Sequence, residues 1–353
     1  MNLNIFQEEE KIKFIKNLPN IMIKEKLGKG GYGDVYHIET KNKNNGSLAI
    51  KIQFADNNDE KKNDMFKNEC LLSKTLKHQN IINTLLIRKD IINHNNNNNV
   101  TMYSIFMEKT VYRNLHYFLE YFRNYNLMKI TLNKRDYEYL IKPNSFFISY
   151  FIYQIINGLK ILYESNVVHR DIKLQNILCC SNFILKICDF GLAKLIKKED
   201  KNFHLGKSTW IYQCPESYIN NYKINIKDSF NQDYFSLGII LYYLIFGEHL
   251  FLKKNKMNYI NCINDIRNGK EKINNMVKNK FIDCELGNIA NKLLFENISD
   301  SPSIIEIVDN KWIYDNQKEA NKIKAINQGL EIKFFIEMYK PKNNNRRRNK
   351  FTV

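Results

Sequence analysis

Short apolar runs separated by glycines fill the first hundred residues. Ile21–Lys24 leads into a glycine-rich stretch at 28–33, and the runs Val35–Ile38 and Leu48–Ile52 follow it. Runs of this length with turn residues between them are typical of an antiparallel β-meander. Residues 66–76 then carry apolar side chains at helical spacing. The N-terminal part is therefore predicted to be a small β-rich unit with one helix.

Farther along, the apolar positions follow helical periodicity. Residues 115–119 begin one helix, Phe146–Tyr163 form a second, and Asp233–Phe246 form a third. The third is apolar nearly all round, which predicts a central place in the core. Two Asn-rich stretches, near 91–100 and 123–145, are predicted to be insertions, the first of them disordered within a strand–strand loop. The fold class is therefore α+β, with a small β-rich N-terminal lobe and a larger helical C-terminal lobe.

These features divide the chain into three parts. Residues 20–313 form one two-lobed domain, whose lobes are 20–108 and 109–313. Residues 1–19 precede it as an N-terminal extension, and 314–353 follow it as a tail. The tail is compatible with a helix at first. It ends in a basic, Asn-rich segment that we expect to be disordered.

Charge is the unusual feature of the composition. Lys and Arg number 54 against 37 Asp and Glu, so the formal net charge is +17. A surplus of this sign favours acidic partners such as nucleotide phosphates, acidic proteins, RNA or anionic lipid. It is equally compatible with a plain bias toward Lys, Asn and Ile. The basic tail at 346–348 has no interleaved aromatic residues and the chain has no zinc-ligand spacing, so a nucleic-acid partner is not favoured.

Cysteine usage and the length of the apolar runs bear on the compartment. The seven cysteines are scattered and form no C-x-x-C pair, which favours reduced thiols in an intracellular protein. The N-terminus lacks a basic region followed by an apolar stretch, so no signal peptide is expected. No uninterrupted apolar run reaches the roughly 20 residues that a transmembrane helix needs. The prediction is an intracellular protein, cytoplasmic or nuclear, without a transmembrane segment.

The stretch Gly28-Lys29-Gly30-Gly31-Tyr32-Gly33-Asp34-Val35 is the first candidate for chemistry. Glycines allow a backbone to approach a phosphate closely and to turn its N–H groups toward the anion. A dinucleotide-binding fold needs a helix after such a loop, whereas here a strand follows, so the flanks favour a β-hairpin lid over phosphates. Lys51 ends the next apolar strand, and Glu69 on the following helix is its natural partner, because a buried lysine is costly unless it is paired.

The strongest local signal is the string 169–176, His-Arg-Asp-Ile-Lys-Leu-Gln-Asn, between a buried helix and an apolar strand. In it, Asp171 can accept a hydroxyl proton, Lys173 can neutralise phosphate charge, and Asn176 can hold a metal ion. Asp189 ends a later strand and is followed by Phe-Gly. A carboxylate in that position suits Mg²⁺, which takes hard oxygen ligands and bridges phosphates.

In order and spacing these motifs resemble the signature set of eukaryotic protein kinases, over about residues 20–313. Cys214-Pro215-Glu216 stands where that family has Ala-Pro-Glu, and Asp233–Gly238 heads the central helix. The resemblance implies the two-lobed kinase fold. It also implies an enzyme, a transferase that moves the γ-phosphoryl group of ATP, with Mg²⁺, to a protein hydroxyl. Lys173 is typical of the serine/threonine class, so the implied partner is a protein substrate with a Ser or Thr acceptor.

The resemblance also implies roles for single residues. Lys51, held by Glu69, contacts the α- and β-phosphates, and Asp171 orients and deprotonates the acceptor hydroxyl. The implied catalytic residues are Lys51, Glu69, Asp171, Lys173 and Asn176, and the implied metal ligands are Asn176 and Asp189. The residues implied to bind the nucleotide, with Met107 as gatekeeper, are Gly28, Gly30, Gly31, Gly33, Val35, Ala49, Lys51, Met107, Glu108 and Leu178.

The segment after Gly191 departs from the family. Arg170 and Lys194 match residues that bind a phosphorylated activation-loop side chain in many members, yet residues 192–207 contain no Ser, Thr or Tyr. The hypothesis is that Glu199, Asp200 or a phosphorylated Ser208 occupies the basic pocket instead. Thr209 fits the threonine of the family's substrate-docking loop.

Several further positions also differ from the family. Glu216 normally pairs with a buried arginine, but Ser301 stands there, so either Glu216 is more hydrated or another cation such as Arg267 replaces it. Ser73 stands where a spine leucine is usual. Two acidic positions that select basic substrates are replaced, which predicts a preference that is not strongly basophilic; they are Asn114 and Tyr243.

Cys188 has two readings, because it directly precedes Asp189. It is either a reachable thiol near the phosphates or, as free cysteines commonly are, a small buried hydrophobe.

Two other function classes compete with an active protein kinase. A catalytically silent pseudokinase or scaffold usually lacks one of Lys51, Asp171 and Asp189, and all three are present. A small-molecule kinase of related fold lacks the docking segment around Thr209 and Cys214–Glu216, which is present here.

Overall fold

A computed structural model of the chain describes residues 8–30, 33–40, 46–94, 98–111, 113–120, 145–205, 209–252 and 258–315. In it, a five-stranded antiparallel sheet forms the N-terminal lobe, with the spatial order β1-β2-β3-β5-β4. The strands are β1 Ile21–Gly30, β2 Gly33–Thr40, β3 Ser47–Asp56, β4 Thr84–His94 and β5 Asn98–Glu108. The predicted β-meander is thus confirmed for its first three strands. A helix follows β3 in the chain, and it is β5, not β4, that pairs with β3.

Helices cover both faces of this sheet. On the inner face, helix α2 (Glu60–Thr75) starts at Asp59, whose side chain accepts a hydrogen bond from the Lys62 amide, and buries Phe66 against Tyr103 with ring centroids 5.8 Å apart. On the outer face, helix α1 (Glu8–Lys16) packs against the sheet. Its apolar side chains pack into the outer cluster of the sheet, a buried apolar cluster that includes Tyr36 and Ile50. The sequence predicted residues 1–19 only as an N-terminal extension, and it did not predict helix α1.

The predicted disordered insertion near 91–100 is wrong. Residues 91–94 extend β4 and 98–100 begin β5, and the two strands pair in register as far as His94 and Asn98. Backbone hydrogen bonds in an antiparallel ladder do not require apolar side chains. The polar residues Asn93, His94, Asn98 and Asn99 are therefore accommodated in paired strands, of which β4 lies at the edge of the sheet.

The C-terminal lobe is helical, as predicted. Its helices include α3 Ser145–Glu164, α4 Asn231–Phe246, α5 Tyr259–Lys278, α6 Cys284–Leu293 and α7 Ile304–Val308, and residues 115–120 are also helical. Helix α4 is buried nearly all round, which confirms its central place. Gly238 explains how closely α6 packs on it, because a Cβ there would lie 2.8 Å from the Leu293 carbonyl oxygen. Among the described helices, none combines the length and the apolar character that crossing a membrane requires.

Short antiparallel strand pairs hold the loops of the C-terminal lobe in place. These are β6 Val167–Val168 with β9 Lys194–Leu195, β7 Ile177–Cys179 with β8 Leu185–Ile187, and β10 Asn202–His204 with β11 Lys223–Asn225. They place the string 169–176 beside the segment that contains Asp189. Apart from Ser145, the predicted insertion 123–145 lies outside the described residues, and so does the tail beyond Asp315.

Candidate active site

The described glycines of the glycine-rich stretch lie at the facing ends of β1 and β2. Gly28 pairs with Val35 and Gly30 with Gly33, and Gly31 lies outside the described residues. At Gly33 a Cβ would lie only 2.6 Å from the Ile52 carbonyl oxygen of β3. Glycine is therefore required at this position by the close approach of two strands.

Lys51 lies at the centre of a buried ion cluster that joins the two lobes. Its Nζ donates to Glu69 Oε1 at 2.5 Å and to Asp189 Oδ1 at 2.7 Å. Gln53 donates to the other Glu69 oxygen at 2.5 Å, which fixes the carboxylate from a second side. Burial alone would lower the pKa of Lys51, but the charges of Asp189 and Glu69 outweigh it and raise the pKa. The ammonium group therefore stays charged in the cleft.

Asp189 is held at the end of β8 in an unusual backbone conformation. Its φ of 68° is left-handed, a region that non-glycine residues seldom adopt. The next residue, Phe190, is buried and packs on His169 with ring centroids 5.3 Å apart. Burial opposes ionisation of Asp189, but the Lys51 ammonium holds its pKa below the usual value. A carboxylate is thus presented to the cleft in its ionised form.

The loop that contains Asp171 is anchored from below by Asp233. The amides of His169 and Arg170 donate to the two Asp233 oxygens at 2.7 and 2.9 Å. These bonds hold Arg170 at a φ of 68°. Burial raises the pKa of Asp233 to about 6, although its hydrogen bonds to the loop oppose the rise. From the sequence, Asp233 was recognised only as the head of the central helix, so its contact with the loop was not predicted.

Four hydrogen-bonding groups fix the Asp171 carboxylate. The Thr209 amide and hydroxyl donate to Oδ1 at 3.3 and 3.0 Å. The Asn176 amide donates to Oδ2 at 2.9 Å, and Lys173 Nζ lies 2.7 Å from the same oxygen. Lys173 also donates to the Thr209 hydroxyl at 2.9 Å. The residues predicted from the string 169–176 therefore converge with the docking-loop threonine on one carboxylate.

Asn176 and Asp189 supply the oxygen donors of the predicted metal site. The Asn176 side-chain nitrogen is used for hydrogen bonds to Asp171, which leaves its amide oxygen for another partner. The Asn176 carbonyl accepts from the Cys188 amide at 2.9 Å, so the two loops are tied together next to Asp189. One carboxylate and one amide oxygen match Mg²⁺, which is commonly held by few protein ligands together with substrate phosphates. The residues present thus fit this ion.

The remaining predicted nucleotide residues line the junction of the lobes. Ala49 on β3 pairs with Met107 on β5, and Val35 pairs with Lys51. Leu178 of β7, in the C-terminal lobe, forms a backbone bridge with Asn114, six residues after the end of β5. The Glu108 side chain is engaged structurally, because its Oε1 accepts from the Asn83 amide at 2.7 Å and lies 2.9 Å from Lys186 Nζ.

The segment after Gly191 is organised around Asp200 and Phe203. Lys194 Nζ lies 3.8 Å from Asp200 Oδ2. The Phe203 ring is fully buried, and the Arg170 guanidinium and the Lys194 ammonium lie 5.6 and 5.1 Å from its centroid. Of the acidic groups proposed for this pocket, Asp200 is the one that pairs with Lys194, Glu199 is exposed and Ser208 lies outside the described residues. Phe203 was missed, although a lone aromatic residue in a lysine-rich stretch was a usable signal.

Both explanations offered for Glu216 are wrong. Its side chain is 2% exposed rather than hydrated, and Arg267 pairs with Glu296 at 2.8 Å instead. The Ile298 amide donates to Glu216 Oε1 at 2.6 Å. A backbone N–H therefore stands where an arginine was expected, and burial raises the pKa of Glu216.

Cys188 and Ser73 are both sheltered from solvent. Cys188 is only partly exposed, and burial raises the pKa of its thiol. This favours the small-hydrophobe interpretation of Cys188, because a thiol reacts as its thiolate. Ser73 is buried on α2, in the place where a spine leucine was expected.

Comparison with known proteins agrees with this arrangement. The sequence model described as "Protein kinase domain" matches residues 21–313. The chain belongs to the protein kinase family. The family match begins at β1, so helix α1 lies before it.

Curated relatives of this protein kinase include several mitogen-activated protein kinases. The sporulation-specific mitogen-activated protein kinase SMK1 of Saccharomyces cerevisiae is 29% identical over 243 residues, which cover 66% of this chain and 56% of the relative. The mitogen-activated protein kinase HOG1 of Phaeosphaeria nodorum is 31% identical over 189 residues, or 51% and 50% of the two chains. The chain spans about half the length of these curated relatives.

Proposed function

We propose that the protein is a serine/threonine protein kinase that uses ATP and Mg²⁺ to phosphorylate a protein hydroxyl. The observation that carries the proposal is the contact of Lys51 with both Glu69 and Asp189, which lie on different lobes. This contact joins residues 138 positions apart across a single cleft. The names of the relatives, mitogen-activated protein kinases, support the same activity.

The residues of the cleft divide the work of phosphoryl transfer. We propose that backbone N–H groups of the glycine-rich stretch and the positive charge of Lys51 bind phosphate oxygens. Asp171, fixed by its four hydrogen-bonding groups, orients the acceptor hydroxyl and accepts its proton at a carboxylate oxygen. Lys173, beside the same carboxylate, offsets negative charge on the transferred group. Mg²⁺, when held by Asn176 and Asp189, neutralises phosphate charge.

The decisive experiment is phosphorylation of a degenerate peptide library with radiolabelled ATP. Wild-type protein is expected to label Ser and Thr peptides and to leave Tyr peptides unlabelled. Asp171→Asn is expected to lower kcat by roughly 10³-fold or more, since it removes the proton acceptor without a change of shape. Asp283→Asn is the matched control, because Asp283 is exposed at the start of α6, and it should be fully active.

The same library separates the competing functions. Binding of Mg²⁺–ATP by the wild-type chain without any labelling would replace the proposal with a silent binding module. Labelling of a small alcohol but of no peptide would indicate a small-molecule kinase.

We also propose that the substrate preference is not strongly basophilic. Asn114 and Tyr243 replace acidic residues, the Asn114 side chain caps the helical turn at Tyr117 with a 2.9 Å hydrogen bond, and Tyr243 is buried. No carboxylate is therefore offered by these two positions. Dominant selection of arginine before the acceptor in the library would overturn this part.

The cellular compartment follows from the thiols. All seven cysteines lie in the described part of the chain, and all are free. Because disulfides persist mainly in oxidising compartments, we place the enzyme inside the cell, in the cytoplasm or nucleus. Imaging of the tagged full-length chain tests this placement.

A further inference from the structure

Helix α1 is tied to the strand that returns from the glycine-rich turn. Lys11 Nζ donates to Asp34 Oδ2 at 2.7 Å, and Lys26 Nζ lies 3.1 Å from Asp34 Oδ1. The Asp34 side chain is 4% exposed. Burial opposes its ionisation, but the hydrogen bonds and charges of Lys11 and Lys26 outweigh burial and hold its pKa below the ordinary value. A buried carboxylate of the kinase domain thus depends on a cation from outside the family match.

The packing of α1 explains why Lys11 reaches this carboxylate. Lys11 and Ile15 are four residues apart, so they share one side of α1, and Leu18 follows just beyond the end of the helix. Ile15 and Leu18 are buried in the outer cluster of the sheet with Tyr36. The apolar contacts that dock α1 therefore also set Lys11 against β2.

Asp34 sits between two residues of the nucleotide site. Side chains alternate along a strand, so Asp34 faces α1 while its neighbours Gly33 and Val35 face the cleft. Gly33 lies against the Ile52 carbonyl with no room for a side chain. A displacement of β2 at Asp34 would therefore also move Gly33 and Val35.

We infer that Lys11 and Asp34 are positioning residues for the nucleotide: they hold β2 from the outer face and so fix the strand positions of Gly33 and Val35, which border the nucleotide site. This inference rests on the proposed function. It assigns a role in nucleotide binding to a segment that precedes the kinase domain.

The test is the full-length Lys11→Met variant, which keeps the aliphatic stem and removes the charge. We expect KM for ATP and the Kd of a non-hydrolysable ATP analogue with Mg²⁺ to rise about five- to tenfold, the lower range of typical coupling between sites. The KM for peptide and kcat should stay within about twofold, a split that a general loss of folding would not produce. Lys11→Arg should restore the wild-type values.

The matched control is Lys24→Met. It removes the 2.7 Å ion pair of Lys24 on β1 with Glu39, which also holds β2 but does so at an exposed position near the far end of the strand from Asp34. Equal nucleotide affinity of Lys11→Met and Lys24→Met would overturn the inference.

A measurement on the wild-type chain covers the case in which Lys11→Met does not fold. Coupling between sites is reciprocal, so the saturating analogue should slow hydrogen exchange at the amides of residues 8–16. Unchanged exchange there would also overturn the inference. Analogue binding without peptide labelling would reject the proposed function alone, whereas absence of analogue binding would reject both.

Discussion

Glu216 shows how a single residue keeps its place after its usual partner is lost. It is buried, and the described lysines and arginines do not pair with it. An ionised carboxylate in such a place would be costly. The raised pKa and the hydrogen bond from the Ile298 amide give a consistent alternative, in which the group holds its proton more tightly in the folded state.

Glu216→Gln should therefore be tolerated. The amide oxygen can still accept from Ile298, so we expect the free energy of unfolding at pH 7.5 to be unchanged or higher by about 1–2 kcal/mol. Because the folded pKa is raised above the unfolded value of about 4.3, wild-type stability should fall as pH rises from that value through the folded pKa, and the variant should lack this fall. Urea unfolding between pH 4.5 and 8 measures both effects.

Glu296→Gln serves as the control for this prediction. It breaks the ion pair with Arg267 at the surface, which should change stability by less than about 1 kcal/mol. A loss of about 3 kcal/mol or more in Glu216→Gln would show instead that Glu216 is ionised and paired with a cation.

Packing organises residues 194–205, which belong to the segment after Gly191. Phe203 is fully buried between two cations, Asp200 lies at ion-pair distance from Lys194, and β10 pairs with β11. In this arrangement a phosphate is not needed to bring Arg170 and Lys194 together. The element is therefore expected to be ordered in the unmodified chain.

Phosphatase treatment should leave peptide phosphorylation within about twofold of the untreated level. Phe203→Ala should lower kcat about tenfold or more, because loss of the ring removes cation–π contacts of about 0.5–2 kcal/mol besides the apolar contacts. Phe281→Ala, at an exposed phenylalanine, is the control and should retain activity. Phosphatase-sensitive activity, or equal activity of the two variants, would refute this account.

Elements were predicted well where one local pattern suffices. The periodicity of Phe146–Tyr163 and Asp233–Phe246 identified two buried helices. The spacing of the glycines identified the paired strands β1 and β2. The pairing of residues 91–94 with 98–101 was missed because much of it joins polar residues through backbone hydrogen bonds, which leave no apolar alternation to detect.

Site residues followed the same rule. Asp171 sits in a string specific enough to be recognised by itself, whereas Lys51 and Asp189 were recognised through the order and spacing of the whole set of motifs. The contacts Lys11–Asp34, Arg170–Phe203 and Glu216–Ile298 join distant segments whose residue types are ordinary, so only the fold brings them to notice. Contacts of this kind depend on tertiary packing rather than on local sequence.

The two lobes are joined through charges that a nucleotide with its metal ion would share. Lys51 of the N-terminal lobe donates to Asp189 of the C-terminal lobe at 2.7 Å, and both side chains are ionised. Binding of ATP with Mg²⁺ adds contacts to the same groups, so it should stabilise the folded chain. A ligand at 100 times its Kd contributes about 2.7 kcal/mol.

Differential scanning fluorimetry with ATP alone and with Mg²⁺–ATP tests this linkage between the lobes. The melting temperature of the wild-type chain should rise more with Mg²⁺–ATP than with ATP alone, because the ion, if held by Asn176 and Asp189, would neutralise charge between the phosphates and Asp189. Asp189→Asn should abolish that difference, since an amide replaces the carboxylate, while Asp283→Asn should keep it. An equal Mg²⁺-dependent rise in Asp189→Asn would mean that the ion is held elsewhere, and the assignment of Asp189 as a metal ligand would then be wrong.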